Sequence, residues 1–173
     1  MGQYYKPSIL GKNKRTVELF MESWDYTCGA KLMEHSWLGN KFVGAFENLI
    51  LQKPQIVVWA GDYADEDKGL KTNVYQRCKD KLKVSPPLQL VKAKYIVNHT
   101  TKQFVDKSKV PNKGGWQIHP LPLLTCEENG RGGGDFRSTD PQNLVGSWAR
   151  HLISIEPRKP KGYTEVFFNL VHT

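Results

Sequence analysis

Ile56-Val-Val-Trp-Ala60 is a short, uninterrupted apolar run, and the polar sequence Gly61-Asp-Tyr-Ala-Asp-Glu-Asp67 follows it directly. A continuous apolar run of this length is typical of a strand whose two faces are both covered. Pro54 ends the helical pattern that precedes the run. We therefore predict a central strand, and we expect the polar loop after it to lie where open sheets of α/β proteins place their ligands.

Outward from this strand, β-prone runs predict two hairpins. Residues 4–10 and 16–21 flank a polar turn, which predicts an N-terminal hairpin at the edge of the sheet. Residues 95–97 and 103–105 enclose a second polar turn and predict a second hairpin. Residues 116–124 alternate apolar and polar side chains around two prolines, so any strand there is expected to be irregular or at an edge.

A helical pattern occupies residues 29–50, where apolar residues recur at intervals of three and four. Gly39-Asn40 interrupts the pattern, which leaves two short helices or one bent helix as alternatives. A short helix is also expected within residues 73–83. Residues 148–155 and 163–171 are predicted to close the chain as two further strands.

These elements predict a single α+β domain over residues 1–173, with a mixed, largely antiparallel sheet and few helices. A chain of 173 residues, 39% of them hydrophobic, buries enough surface to need neither disulfides nor a structural metal, and we expect no cofactor. The three cysteines are widely spaced, so we expect free thiols. No run of eighteen apolar residues and no apolar leader segment occur, which predicts a cytoplasmic protein without a membrane span.

Basic residues are concentrated between Lys68 and Lys113, where eleven Lys and one Arg stand against two acidic residues. This segment carries +10, whereas the whole chain carries +8. Such a concentration produces a positive field that attracts polyanions, although a solvated lysine-rich face is an equally open alternative. The candidate nucleic-acid contacts in the segment are Lys79, Lys81, Lys83, Lys92 and Lys94.

The most unusual cluster is Asn129-Gly-Arg-Gly-Gly-Gly-Asp135, with Arg137 just beyond it. Glycines allow successive backbone amides to point into one concavity and bind an anion, and two arginines can close on the same phosphate or carboxylate. The alternative is a flexible hairpin loop with incidental arginines. The predicted anion-binding residues are Arg131, Gly132, Gly133, Gly134 and Arg137.

Gly61-Asp-Tyr-Ala-Asp65, with Asn98-His99 downstream, partly matches the metal-ligand segments of calcineurin-like metallophosphoesterases. In such sites a bridging carboxylate holds two cations that activate water. The Asp-x-His and Gly-His-x-His elements of those enzymes are missing here, so half of the ligands are absent. Turn-forming aspartates that bond their own backbone are the likelier interpretation of Asp62 and Asp65.

Three histidines complete the candidate ligand-binding set with Asp62: His35, in the helical region, and His99 and His119, in two β-like segments. They would act as acid–base or metal groups if the fold brought them together. The commoner alternative is a buried histidine with satisfied hydrogen bonds. For His119, which precedes Pro-Leu-Pro, we expect a hydrogen-bonding anchor in a rigid backbone.

Several blocks resemble a group of small uncharacterised phage and prophage proteins, and the resemblance covers nearly the whole chain. It implies an origin in a phage and a place in the host cell, but it attaches no activity to any residue. By analogy, small phage proteins outside the virion and replication modules are often inhibitors of host defence. The blocks are 32–40, 57–65, 95–99, 118–125 and 129–135.

Three functions are compatible with these features, in decreasing order of support. The first is a binder of phosphates, carried by a nucleotide signal or by nucleic acid, that counters host defence. The second is an inhibitor that binds a host defence protein directly. The third is a metal-dependent phosphodiesterase that uses Asp62, Asp65, His99 and His119. A non-enzymatic role is favoured because no complete catalytic set can be assembled, and the oligomeric state is left open.

Overall fold

The predicted central strand is β3, Gln55–Gly61, in the computed structural model, which describes residues 2–88, 92–129, 136 and 138–173. β1, Tyr5–Leu10, is antiparallel to β3, and every residue of β1 has a partner in β3. β8, His151–Glu156, pairs with the first half of its other edge, and β7, Cys126–Glu127, pairs with the second half. β3 therefore has neighbours along both edges.

Nine strands of the described residues form one mixed sheet in the order β4-β2-β1-β3-β8-β5-β6-β9, with β7 on β3. Five of the pairings are antiparallel and three are parallel. This confirms the predicted α+β fold with a largely antiparallel sheet. The remaining strands are β2, Val17–Phe20; β4, Leu82–Lys83; β5, Tyr95–Asn98; β6, Gln103–Asp106; and β9, Thr164–Glu165.

Both predicted hairpins are present, as β1–β2 and β5–β6. The expectation that the N-terminal hairpin lies at the sheet edge was wrong, because β4 pairs with β2 and lies outside it. The helices are α1, Leu32–His35; α2, Lys41–Leu49; α3, Val74–Arg77; and α4, Pro120–Thr125, and none within the described ranges is long and apolar enough to cross a membrane.

The helical pattern of residues 29–50 forms two separate helices, the first of the two alternatives. Gly39 separates them with a φ of 88°, a left-handed conformation that favours glycine. Asn40 then caps α2, because its Oδ1 accepts from the amides of Phe42 and Val43 at 2.9 and 3.1 Å. The break in the pattern is therefore the start signal of the second helix.

β3 is apolar from Ile56 onward because both of its faces are covered. On one face the fully buried Trp59 packs against Phe42 and Phe46 of α2 in the main core. On the other face Val58 belongs to a second, smaller core that includes Val74 of α3. Apolar side chains are thus required at successive positions of the strand rather than at alternate ones.

Residues 116–124 were predicted as an irregular strand, but most of them form α4 instead. Pro120 occupies the first turn of the helix, where its missing N–H removes no helical hydrogen bond. His119 is the N-cap, and its Nδ1 accepts from the amide of Leu121 at 3.2 Å. The final predicted strand is also much shorter than expected, since regular pairing is confined to Thr164–Glu165.

A buried ionic group ties α2 to the second hairpin and to α4. Glu47 of α2 accepts hydrogen bonds from Lys107 and, at 2.9 Å, from His119 Nε2. Burial by itself raises the pKa of Glu47, but the two partners lower it below its ordinary value. Burial lowers the pKa of His119 despite the nearby carboxylate. The group is therefore a neutral histidine, a carboxylate and an ammonium.

We expect Glu47→Ala to lower the free energy of unfolding by about 3 to 5 kcal/mol, because it leaves Lys107 buried without its carboxylate. Urea denaturation measures this change. The matched control is Glu165→Ala, which breaks the 2.7 Å pair with the half-exposed Lys109 and should cost at most about 1 kcal/mol. Equal losses in the two variants would show that the buried ionic group stabilises the fold no more than the Lys109–Glu165 pair does.

Candidate functional site

The fold divides the basic segment of residues 68–113 into two parts. Lys79, Lys81 and Lys83 lie at or just before the outermost strand β4, whereas Lys92 and Lys94 precede β5. Five strand spacings separate β4 from β5, or about 24 Å at the usual spacing. The five predicted lysines are exposed, but they do not form one patch.

The second part of the segment meets a basic stretch from the end of the chain. β5 pairs with β8, so that Tyr95 lies opposite Glu156, and β6 pairs with β9, so that Phe104 lies opposite Glu165. These pairings bring residues 92–113 and 156–167 to one end of the sheet. The two stretches, which we call the basic surface, contain nine basic and three acidic residues.

Three lysines of the basic surface lie over aromatic rings. Lys94 Nζ is 5.2 Å from the ring centroid of Tyr95, and Lys109 Nζ is 5.3 Å from that of Phe167. Lys159 Nζ is 5.7 Å from the ring of Phe104. Phe167 is 59% exposed, so an apolar ring with the ammonium of Lys109 beside it faces solvent at this end of the sheet.

A second feature is a cleft at the carboxyl ends of the parallel strands β3 and β7, which we call the carboxyl-end cleft. Two adjoining cavities of about 470 and 420 Å³ share Ala64, Asp65 and Glu66 in their walls. The predicted ligand loop after β3 does line this cleft. Its described lining is acidic, with carboxylates from Asp62, Asp65, Glu66, Asp67, Glu127 and Glu128.

Two arginines hold the cleft in shape. Asp67 accepts from Arg77 at 2.5 Å and from Arg150 at 2.8 Å, and Arg150 also binds both carboxylate oxygens of Glu127 at 2.8 and 2.9 Å. Burial raises the pKa of Asp67, but the arginine hydrogen bonds outweigh it and lower the pKa below its ordinary value. This network fixes the loop after β3 to β7.

Asp62, the first aspartate of the partial metallophosphoesterase match, has a structural contact. Asp62 Oδ1 accepts from the amide of Tyr4 at 3.0 Å, so it joins the loop to the start of β1 rather than to its own backbone. Within the described ranges, no group of three His, Cys, Asp or Glu side chains could hold a metal ion. Neither His99 nor His119 lines the cleft with Asp62 and Asp65.

The glycine-arginine cluster, Arg131, Gly132, Gly133, Gly134 and Arg137, lies outside the described residues. Asn129, immediately before it, lines the carboxyl-end cleft. Glu127 and Glu128 precede Asn129 and line the adjoining cavity.

The three candidate histidines do not share partners in the structure. His35 is fully buried, its Nδ1 donates to the carbonyl of Gly29 at 3.0 Å, and its Nε2 accepts from the indole of Trp59 at 2.9 Å. His119 bonds the carboxylate of Glu47 through Nε2 and the amide of Leu121 through Nδ1. His99, at the end of β5, bonds Tyr163 at 3.1 Å and Ser154 at 2.7 Å.

Some residues of the basic surface were missed by sequence reasoning. The turn before β9 contains three basic residues, Arg158, Lys159 and Lys161. No local pattern in the sequence indicates that β9 pairs with β6, so the position of this turn beside the second hairpin could not be predicted. Phe167 lies in the predicted closing strand of residues 163–171, but it falls beyond the paired residues Thr164–Glu165 and is exposed. No family model, curated protein or solved structure matches the chain, so the site rests on this geometry.

The buried His35 predicts a loss of stability in acid. Burial lowers its pKa from 6.5 to about 4, so between these pH values the unfolded chain binds a proton that the folded chain rejects. We expect the free energy of unfolding to fall by about 3 kcal/mol as the pH drops through this window. Urea denaturation at several pH values should show a shallower dependence for His35→Gln, but not for His172→Gln, which changes an exposed histidine.

Proposed function

We propose that the chain is a phage-type accessory protein that binds the phosphates of single-stranded nucleic acid at the basic surface. The observation that carries the proposal is the pairing of β5 with β8 and of β6 with β9, which gathers eight exposed basic residues at one end of the sheet. The ninth, Lys107, is held by Glu47 in the buried ionic group. The resemblance to phage proteins supports a role against host defence, with the bound nucleic acid belonging to a host complex.

Phosphate contacts from lysine are point-charge contacts, and they give salt-dependent affinity without reading the base sequence. An exposed aromatic ring adds stacking, which any unpaired base can provide. Phe167 beside Lys109 offers both kinds of contact. These features favour a flexible single strand, whose bases are free to stack, over a duplex.

We expect the triple variant Lys94→Ala, Lys109→Ala, Lys159→Ala to bind oligo(dT) more weakly than the wild type. The slope of log affinity against log salt concentration should become shallower by about 2, because each lost phosphate contact removes about 0.7. Fluorescence anisotropy over a salt series measures both quantities.

The matched control removes the same charge at the other edge of the sheet, with Lys79→Ala, Lys81→Ala, Lys83→Ala. These lysines lie about five strand spacings from the basic surface, so their loss should remove no phosphate contact there, and we expect a smaller change in slope. Equal changes in the two triples would mean that overall charge, rather than the basic surface, attracts the polyanion. If the wild type binds no oligonucleotide, a direct protein-binding inhibitor becomes the better proposal.

A second candidate function is the binding of a nucleotide signal in the carboxyl-end cleft. Asn129 lines the cleft directly before the glycine-arginine cluster, and together the two cavities are large enough for a small ligand. Arginines of the cluster would hold the phosphates, since the described lining is acidic. The carboxylates would then accept hydrogen bonds from sugar hydroxyls, as acidic residues do in dinucleotide sites.

For this site we expect Arg131→Ala to weaken ADP binding by about 1.5 to 3 kcal/mol, the range for a hydrogen bond to a charged group. Titration calorimetry measures the loss, and thermal stability should stay nearly unchanged. Arg158→Ala removes an arginine of the basic surface and serves as the control. Metal-dependent phosphodiester hydrolysis that disappears in Asp62→Asn would instead favour the enzyme alternative.

A further inference from the structure

A small cavity lies at the β1–β2 end of the sheet, away from the basic surface and separate from the carboxyl-end cleft. Its volume is about 110 Å³, and three aromatic rings, Tyr5, Trp24 and Tyr75, form much of its wall. Tyr5 is buried, whereas Trp24 is 66% exposed, so the cavity opens at the surface beside an indole ring. Flat aromatic walls favour a flat ligand.

The polar groups in the wall are Lys6, Glu22 and Ser23. Ser23 is 1% exposed, and its hydroxyl has no hydrogen-bond partner within the described part of the chain. Lys6 Nζ lies over the Tyr75 ring, 4.4 Å from its centroid. The distance from Lys6 Nζ to Glu22 Oε1 is 3.6 Å, which is too long for a hydrogen bond. The cavity thus presents two donors and one carboxylate acceptor.

We propose that this cavity binds a planar six-membered heterocycle that carries a carbonyl oxygen beside an N–H group, the arrangement found on the edge of a pyrimidine base. The carbonyl accepts from Ser23 and Lys6, the N–H donates to Glu22, and the ring contacts the aromatic walls. At about 110 Å³ the cavity is smaller than the cavity of about 150 Å³ that encloses benzene, so it takes only the hydrogen-bonding edge of one six-membered ring, and the rest of the ring lies at the opening beside Trp24.

Other classes of ligand fit these groups less well. A simple anion would face the carboxylate of Glu22, and a simple cation would compete with the ammonium of Lys6 over the same ring. A purely apolar ring would leave the Ser23 hydroxyl without an acceptor, and a buried hydroxyl without a partner is costly. Only a ligand with a donor and an acceptor on one edge serves all three groups.

The ligand itself provides the first test. Uridine and 3-methyluridine differ only at the ring N–H that would donate to Glu22. Titration of the wild-type protein, followed by the fluorescence of its tryptophans and by calorimetry, should show binding of uridine and about tenfold weaker binding of 3-methyluridine. Equal affinities, or no binding of uridine, would overturn the proposal.

Ser23→Ala provides the second test. Because its hydroxyl has no partner among the described residues, the variant should keep or slightly raise the melting temperature while it binds uridine about tenfold more weakly. Ser85→Ala is the control, since Ser85 bonds Asp25 at 2.7 Å and does not line the cavity. A lower melting temperature with unchanged uridine affinity would show that the Ser23 hydroxyl is structural.

The basic-surface triple variant separates this proposal from the proposed function. Lys94, Lys109 and Lys159 belong to the other end of the sheet, so their loss should leave uridine binding unchanged. Failure of oligonucleotide binding with retained uridine binding would reject the nucleic-acid proposal alone. A triple variant that loses uridine binding would show that uridine binds at the basic surface, and the cavity proposal would fail.

Discussion

The fold depends on one constraint, the burial of β3 on both faces. Val57, Val58, Trp59 and Ala60 are all at most 1% exposed, so both faces of the strand must be covered. α2 covers one face, and α3 covers the other. Polar residues are excluded from the strand itself and collect at its carboxyl end, where β7 is its parallel neighbour. A Cβ at Gly61 would collide with the carbonyl of Glu127, so glycine is required where the cleft begins.

Sequence reasoning succeeded where the signal was local. The apolar run of β3 and the two hairpins each contain their own evidence within a few residues. The break at Gly39-Asn40 was also a local signal, although it left two short helices and one bent helix as alternatives. It failed at α4, because the alternation around Pro120 and Pro122 hid a helix start that depends on His119 as its cap. The two-residue strands β4, β7 and β9 have no readable pattern, since they exist only through pairing with distant strands.

The same distinction applies to the candidate sites. The five predicted lysines are exposed. Which of them lie near one another depends on which strands become neighbours in the sheet. β6 meets β9 across about sixty residues of sequence, and no composition rule predicts that. The polar loop after β3 was placed correctly because its position follows from the strand itself. This loop contributes four of the six carboxylates of the cleft, and the pairing of β7 with β3 adds Glu127 and Glu128.

Arginine and lysine have different roles in this chain, and that division limits how nucleic acid can be recognised. Of the six arginines, Arg77 and Arg150 are used inside the fold, where each binds a carboxylate and a backbone carbonyl of the turn after β1. Arg15 also bonds a backbone carbonyl, that of Lys68.

The exposed positive charge of the basic surface comes from lysine, with Arg158 as the one arginine in its two stretches. Lysine is a flexible point charge without the rigid, planar fork of arginine, so its contacts with the bases carry less geometric specificity. Binding at the basic surface would therefore tolerate many sequences, and any preference among bases would have to come from a separate pocket with a hydrogen-bonding edge.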